Sequence, residues 1–305
     1  VDKYPGSGQA VEAGVELGRH EYRAGNIAGA IDRLVALAGS PNASEKQLPI
    51  QSALGDIYTD LGLTKRATAA YEKVASLATD PETLARAATV LLKNGAMGPA
   101  LPVIRKVDAA RLPSKSGFEF LMAQGRAMLA LDPDGALAKM QQAFAQYPVE
   151  RTPEDFEYLV RACIETGKTA HARALVSDFD TYVQTHPEDR DRLCRTAALW
   201  GDALYNVGDY RGALDAYALA VPPPAAGTAG GQTSGPPPPT RDAVWATFQR
   251  ANAMLKLDDF ANSLAIFDEL AATDTPYAED ARIKAGYARL ERRLRGAAPI
   301  VGQGG

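Results

Sequence analysis

The sequence predicts an all-α fold made of repeated helical hairpins, and three observations support this prediction. A glycine is followed five residues later by an alanine at five places along the 305-residue chain. A large apolar residue follows each of these alanines four residues further on. Prolines recur where one hairpin would end, and there they stop a helix without breaking it. A phase kept over most of a chain indicates an array of repeats. The pairs are Gly25/Ala30, Gly62/Ala67, Gly95/Ala100, Gly167/Ala172 and Gly208/Ala213.

The composition is typical of a soluble protein, with 46% apolar and 23% charged residues. A net charge of −4 gives no bulk attraction to nucleic acid or anionic lipid, so we do not expect a nucleic-acid partner. No apolar stretch is long enough for a transmembrane helix. We expect a soluble protein of the cytoplasm or periplasm, and the sequence does not choose between them. Because the chain starts at Val1 rather than methionine, it is interpreted as a processed protein or an excised segment.

The two cysteines, Cys163 and Cys194, are too few for a structural zinc site and make a poor disulfide framework. Cys163 falls on the apolar face of a predicted helix. We therefore expect it to be a buried free thiol.

The second repeat shows the hairpin pattern most clearly. Gly55 and Tyr58 share one helical face, and Gly62 stands where a left-handed residue would end the first helix. Gly55 and Ala67 are small where two antiparallel helices would cross closely. Tyr71 would then fill the space between this hairpin and the next.

These residues resemble the tetratricopeptide repeat, whose pattern is a large–small pair, an aromatic, a glycine, an alanine, an aromatic and an alanine. The resemblance implies a right-handed superhelical solenoid of about seven helical hairpins plus a C-terminal capping helix. The fourth repeat departs from the pattern, because its loop at 132–135 is one residue short. The seventh has Asp258 in place of the glycine and Ser263 in place of the alanine. Repeats are expected to start near residues 11, 48, 81, 117, 153, 194 and 244.

The predicted organisation interrupts the array once. Residues 222–240 are rich in proline and glycine and carry no charge until the next repeat, so we expect a disordered insertion there. Pro236–Pro239 could alternatively be a ligand for an aromatic-lined groove. The remaining segments are a flexible N-terminal tail, repeats one to six, the seventh repeat with its capping helix, and a flexible C-terminal tail, at 1–10, 11–221, 241–295 and 296–305.

Catalytic chemistry has no signature in the sequence. The chain has three histidines, and His20 lacks the second histidine four residues later that a zinc-protease helix needs, since that position is Ala24. No nucleophile motif or phosphate-binding loop is found. We therefore expect no enzyme, no catalytic residue, no metal, no cofactor and no small-molecule substrate.

Binding is the function that the resemblance implies, because in this family the first helix of each hairpin lines a concave groove that holds a peptide. The pattern of the family's carboxylate clamp for chaperone C-termini is absent. Asp56 and Asp60 also fall at groove positions. The candidate partner-binding residues are Arg19, Tyr22, Arg86, Lys93, Arg126, Arg161, Arg195, Asp202, Asn206, Trp245, Gln249, Asn252 and Lys256.

The leading hypothesis is a non-catalytic protein–protein interaction scaffold or adaptor that binds a protein or peptide segment in this groove. The alternative is a structural or self-assembling segment of a larger bacterial-type secretion or envelope complex. A third reading concerns the last predicted helix, which is rich in arginine between residues 282 and 295. It is either a solvated cap or a docking face for an acidic partner, a membrane surface or nucleic acid.

Overall fold

The computed structural model describes residues 8–221 and 240–296, and all regular structure in these two ranges is helical. The chain divides into two compact units, Val1–Arg151 and Thr152–Gly305, here called the N-terminal half and the C-terminal half. The predicted insertion and most of the two predicted tails lie outside the described residues, at 222–239, 1–7 and 297–305.

The N-terminal half contains four hairpins of α-helices. Short 3₁₀ helices at Pro41–Lys46, Ala109–Arg111 and Pro148–Glu150 follow the first, third and fourth hairpins. In chain order the helices are α1 (Gly8–Arg23), α2 (Ile27–Ala38), α3 (Gln47–Asp60), α4 (Thr64–Leu77), α5 (Pro81–Lys93), α6 (Met97–Ile104), α7 (Ser114–Met128) and α8 (Pro133–Gln146).

The C-terminal half contains three hairpins and a final helix. A 3₁₀ helix at Pro187–Asp189 joins its first two hairpins. The helices are α9 (Pro153–Glu165), α10 (Thr169–Thr185), α11 (Arg190–Asn206), α12 (Tyr210–Ala220), α13 (Arg241–Lys256), α14 (Phe260–Ala271) and α15 (Ala278–Gly296). The predicted all-α array of hairpins is thus confirmed in each half.

The repeated glycines form the turns inside the hairpins. Gly62 has φ +67°, and a Cβ placed on it would meet nothing within 4 Å. The backbone conformation therefore explains the glycine there, not a lack of space. The Leu63 N–H donates to the Tyr58 carbonyl over 2.8 Å, which closes the end of α3. The same left-handed conformation occurs at Gly25, Gly95, Gly167 and Gly208.

Two turns depart from the pattern. Asp258 replaces the glycine and still adopts φ +64°, so the seventh turn keeps its geometry with a residue that tolerates it less well than glycine but better than most others. In the fourth turn no described residue has a positive φ. There the Asp132 N–H donates to the Met128 carbonyl over 2.8 Å. The Asp132 carboxylate accepts from the Gly135 N–H over 3.0 Å and so caps α8. The loop at 129–132 has four residues, whereas the loops of the other hairpins have three, so the expected loop one residue short is wrong.

In four of the hairpins a glycine of the first helix lies beneath a large residue of the second. A Cβ on Gly55 would lie 2.6 Å from Cε2 of Tyr71, and one on Gly201 would lie 2.6 Å from Cε1 of Tyr217. Tyr71 also belongs to the core cluster that includes Leu84 of the following hairpin. Its predicted position between two hairpins is therefore confirmed.

Some predicted boundaries need correction. Helix α1 begins at Gly8, and Ala10 is buried, so the predicted tail 1–10 is wrong from Gly8 onward. The Thr240 hydroxyl accepts from the Ala243 N–H over 3.3 Å and caps α13, so Thr240 belongs to the helical array and not to the insertion. Gly296 is the last residue of α15. At the first two boundaries a buried or a capping residue extends the helix past the composition boundary.

Cys163 and Cys194 are free and buried, as expected for Cys163. Burial raises the pKa of the Cys163 thiol to about 11. Within the described ranges, no helix is long and apolar enough to cross a membrane.

Candidate functional site

First helices of successive hairpins line a cleft of about 550 Å³ in the N-terminal half. A neighbouring cleft of about 380 Å³ shares Asp56, Asp60 and Arg86 with it. Together they form what we call the Asp56 cleft, which receives side chains from α1, α3, α5 and α7. Its charged lining residues are Arg19, Arg23, Asp56, Asp60, Glu82, Arg86, Lys93, Lys115 and Glu119.

The Asp56 carboxylate lies at the centre of this cleft. The Tyr71 phenol and the Arg86 guanidinium both donate hydrogen bonds to its Oδ1 atom. Burial of the ring, and then the hydrogen bond to Asp56, raise the pKa of Tyr71 well above its usual value. A buried neutral phenol thus holds a carboxylate that is 30% exposed to solvent.

The two ends of the Asp56 cleft differ in how their charges are paired. At one end the Tyr22 phenol donates to Asp60 Oδ2 over 3.3 Å. Burial and the charge of Asp60 raise the pKa of Tyr22. At the other end Lys93 and Lys115 are exposed. Within the described part of the chain, neither lysine has an ion-pair partner within 4.0 Å.

A second cleft of about 360 Å³ lies in the C-terminal half and is called the Asp202 cleft. Asp202 Oδ1 accepts a hydrogen bond from the Tyr217 phenol over 2.7 Å, and Oδ2 accepts one from the Trp245 indole N–H over 3.1 Å. Arg195 lies 3.4 Å from Glu157. Arg161 is exposed and has no ion pair among the residues that the structure describes.

The two carboxylate sites repeat one arrangement. A Gly-Asp pair on a first helix precedes by fifteen residues a tyrosine that covers the glycine and donates to the aspartate. The third group differs, since Arg86 contacts Asp56 whereas Trp245 contacts Asp202. The repeat pattern does not reveal this arrangement, although the Gly-Asp pairs at 55–56 and 201–202 are present in the sequence.

A third cleft, also of about 360 Å³, is called the Leu255 cleft. It lies in the C-terminal half between α11, α13 and α15. Asn252 is buried there, and its Nδ2 donates to Gln249 Oε1 over 2.9 Å. The lining residues are Tyr205, Asn252, Leu255, Lys256, Ile283, Lys284 and Tyr287.

The structure gathers most of the predicted binding residues into these three clefts. Arg126, Asn206 and Gln249 are the candidates that line none of them. Gln249 is half-buried and bonded to Asn252, while Arg126 lies in the last turn of α7. The candidates within the clefts are Arg19, Tyr22, Arg86 and Lys93 in the first, Arg161, Arg195, Asp202 and Trp245 in the second, and Asn252 and Lys256 in the third.

Four further residues of the Asp56 cleft fall outside the large–small pattern and cannot be predicted from it. Glu82, Lys115, Ser116 and Glu119 line the Asp56 cleft, and the Ser116 hydroxyl donates to Glu82 over 3.2 Å. Glu82, Lys115 and Ser116 lie in the first turns of α5 and α7, and Glu119 lies in the second turn of α7. The repeat pattern has no marker residue at these positions. Across residues 8–221 and 240–296, no group of three or more histidine, cysteine or acidic residues is placed to hold a metal ion.

Comparison with known proteins identifies the fold. No protein-family model matches the sequence, and no curated protein matches it. The structure matches the crystal structure of a tetratricopeptide repeat protein from Parabacteroides merdae with a TM-score of 0.50 and 14% identity, over 92% of this chain and 100% of that one. It also matches the TPR2AB domain of yeast Sti1 in complex with pHSP90 with a TM-score of 0.31 and 15% identity, over 82% and 96% of the two chains. The chain therefore has the tetratricopeptide repeat fold, a conclusion that rests on the first match.

Proposed function

We propose that this chain is a non-catalytic scaffold that binds an extended segment of another protein along the first helices of its hairpins. The observation that carries the proposal is the repeated, tyrosine-anchored aspartate at the centre of a cleft in each half. A carboxylate fixed in this way is preorganised, so that less side-chain entropy is lost when a ligand binds.

The polar groups of the two clefts suit the backbone of an extended peptide. Asp56 and Asp202 offer acceptors to peptide N–H groups, while Lys93, Lys115 and Arg161 offer donors to carbonyls or acidic side chains. Because these three cations are exposed and lack ion pairs in the described part of the chain, a ligand would not have to break an existing ion pair. Acidic side chains are therefore the favoured ligand groups at these points.

Trp245 supplies an aromatic anchor in the Asp202 cleft. Its indole is fixed by the hydrogen bond to Asp202 and by ring contacts with Phe248 and Tyr277, at centroid distances of 6.1 and 5.4 Å. A rigid aromatic residue at the edge of a charged cleft is a common centre of binding energy in protein interfaces. The apolar side chains of a bound segment would pack there.

The basic face of α15 gives less support to nucleic-acid binding. Arg289 and Arg295 pair with Asp268 and Asp258, and Arg282 donates to the Ala271 carbonyl over 3.2 Å. These arginines thus contribute to the packing of α15 on its neighbours. Salt bridges of this exposed kind stabilise by at most about 1 kcal/mol each.

The experiment uses a peptide selected from a random display library against the 305-residue chain, with affinity measured by calorimetry. Lys93→Glu/Lys115→Glu and Arg161→Glu/Arg195→Glu are expected to weaken binding at their own cleft by roughly tenfold or more. Raising the salt concentration should also weaken binding, because exposed charges are screened.

The matched control is Lys65→Glu/Lys73→Glu, which reverses two exposed lysines on the second helix α4. It should leave the affinity unchanged within about twofold, a difference of under 0.5 kcal/mol. If no peptide is selected, or if neither cleft variant weakens binding more than the control does, the proposed function is wrong.

A further inference from the structure

Helix α15 carries an apolar stripe that faces solvent. Ile283, Tyr287, Leu290 and Leu294 are 65%, 51%, 52% and 56% exposed. We call these four residues the α15 stripe. Large apolar residues that share a helix face and lie open to solvent are a mark of an interaction site.

The opposite face of α15 is already used for packing. Ala281, Ala285 and Ala288 are fully or almost fully buried, and the first two belong to the cluster formed with Phe248 and Phe267. The stripe therefore does not belong to the core of the C-terminal half. Its spacings of four, three and four residues are those of the core positions in a two-stranded coiled coil.

We propose that the α15 stripe binds the α15 stripe of a second copy of this chain, with the two helices antiparallel. An antiparallel pairing that aligns the two stripes centres between Ala288 and Arg289. It places Ile283 opposite Leu294 of the other copy and Tyr287 opposite Leu290. A contact of this kind is self-complementary under a twofold axis, as expected for a homodimer.

The charges beside the stripe favour this occupant and this direction. Lys284 and Glu291 follow Ile283 and Leu290 on the same edge of the stripe. In the antiparallel pairing each Lys284 lies opposite Glu291 of the other copy. This gives two ion pairs, which the twofold axis relates to each other. A parallel pairing would instead extend the contact to Asp280. The two Asp280 carboxylates of the dimer would then face each other, and their repulsion would disfavour the parallel direction.

Gly286 lies on the other edge of the stripe and is exposed. A Cβ at this position would meet nothing within 4 Å, so no contact inside the chain explains a glycine in the middle of a helix, where it costs about 0.5–1 kcal/mol relative to alanine. In the antiparallel pairing it lies opposite Arg293 of the other copy. The missing side chain leaves room there for the long arginine.

Sedimentation of the purified chain without any peptide, over a wide range of concentration, tests this proposal separately from the proposed function. The apparent mass should rise towards that of a dimer. Leu290→Asp should raise the dissociation constant by roughly a hundredfold, because a carboxylate would have to leave water. Leu131→Asp is the control, since Leu131 is 83% exposed and lies outside α15. It should leave the dissociation constant unchanged, and circular dichroism should show that both variants remain folded.

A charge exchange tests the direction of the pairing. Lys284→Glu should weaken the dimer by roughly tenfold, because it sets two pairs of carboxylates opposite each other. Adding Glu291→Lys to that variant should restore most of the affinity. A chain that stays monomeric at every concentration, or a Leu290→Asp variant that dimerises like the control, would refute the stripe as an interface. If the double variant is no better than Lys284→Glu, the antiparallel pairing is wrong.

Discussion

The Tyr217 phenol donates a 2.7 Å hydrogen bond to Asp202, and its ring covers Gly201 on the same helix as the aspartate. Tyr71 has the same relationship to Asp56 in the N-terminal half. In each half, therefore, a single tyrosine contacts both the interior of the hairpin and the aspartate in the cleft. Changes in packing and changes in the cleft should be coupled through this side chain.

Removal of the phenol oxygen from Tyr217 should destabilise the protein without creating a cavity. We expect Tyr217→Phe to lower the free energy of unfolding by about 1–2 kcal/mol, because a hydrogen bond to a charged group is lost while the ring remains. Urea unfolding measures the change. Tyr210→Phe is the control, since no hydrogen bond of its phenol is found among the described residues, and it should have little effect. Equal stability of the Tyr217→Phe variant and the wild type would contradict the role given to this bond.

The stability of the protein should fall in alkaline solution. Burial raises the pKa of Tyr71 and Tyr217 in the folded state, whereas an unfolded tyrosine ionises near pH 10. Their contribution is fully present below pH 10 and is lost as pH rises above it, at about 1.4 kcal/mol per pH unit for each tyrosine. Tyr71→Phe/Tyr217→Phe should therefore lose stability less steeply above pH 10. Chemical denaturation at a series of pH values measures the slope, and identical slopes would rule out this assignment.

Two glycines should respond in opposite directions to the same substitution. Gly201→Ala would place a Cβ against the buried Tyr217 ring and should destabilise the protein by about 1–3 kcal/mol. Gly286→Ala adds its methyl group in open space and should stabilise α15 by about 0.5–1 kcal/mol. Thermal and urea unfolding distinguish the two cases. A stabilised Gly201→Ala variant would mean that the close approach of Tyr217 is not a constraint.

The left-handed turn at Asp258 can be tested by comparing two variants. Asp258→Gly and Asp258→Ala both lose the ion pair with Arg295, whose Nη1 lies 2.6 Å from Asp258 Oδ2. Their difference therefore reports on the backbone alone. The glycine variant should be more stable by about 1 kcal/mol, because a Cβ is disfavoured at φ +64°. Equal stability would show that the turn changes conformation in the alanine variant.

The sequence was sufficient to predict the hairpins because the repeat pattern records local requirements. The glycine at position 62 can be recognised because its left-handed conformation disfavours a side chain, and the glycine at position 55 because Tyr71 packs on it. The ends of the array were harder to predict. The start of α1 at Gly8 and the cap of α13 at Thr240 depend on individual local contacts, which do not produce a repeating pattern in the sequence.

The sequence predicts which residues line the candidate site but not the hydrogen bonds between them. Helical phase alone predicts groove positions for Arg86, Asp202 and Trp245, and each of them lines a cleft. The bonds that fix Asp202 join residues 15 and 43 positions apart in the chain, so no local pattern reveals them. The sequence does not predict the exposed α15 stripe, for a different reason. In the sequence, the arginines are the prominent feature of α15, whereas the fold pairs several of those arginines and leaves the apolar residues exposed.

The bond between Trp245 and Asp202 also gives the protein an optical reporter. The chain has two tryptophans, and Trp200 is 3% exposed inside the core of the C-terminal half. Trp245 instead borders a cleft, with its indole N–H against a carboxylate. Any molecule that enters this cleft changes the polarity and the fields around one of two emitting rings, while the other provides a constant background. Intrinsic fluorescence can therefore follow occupancy of the Asp202 cleft in the unlabelled, unmodified chain.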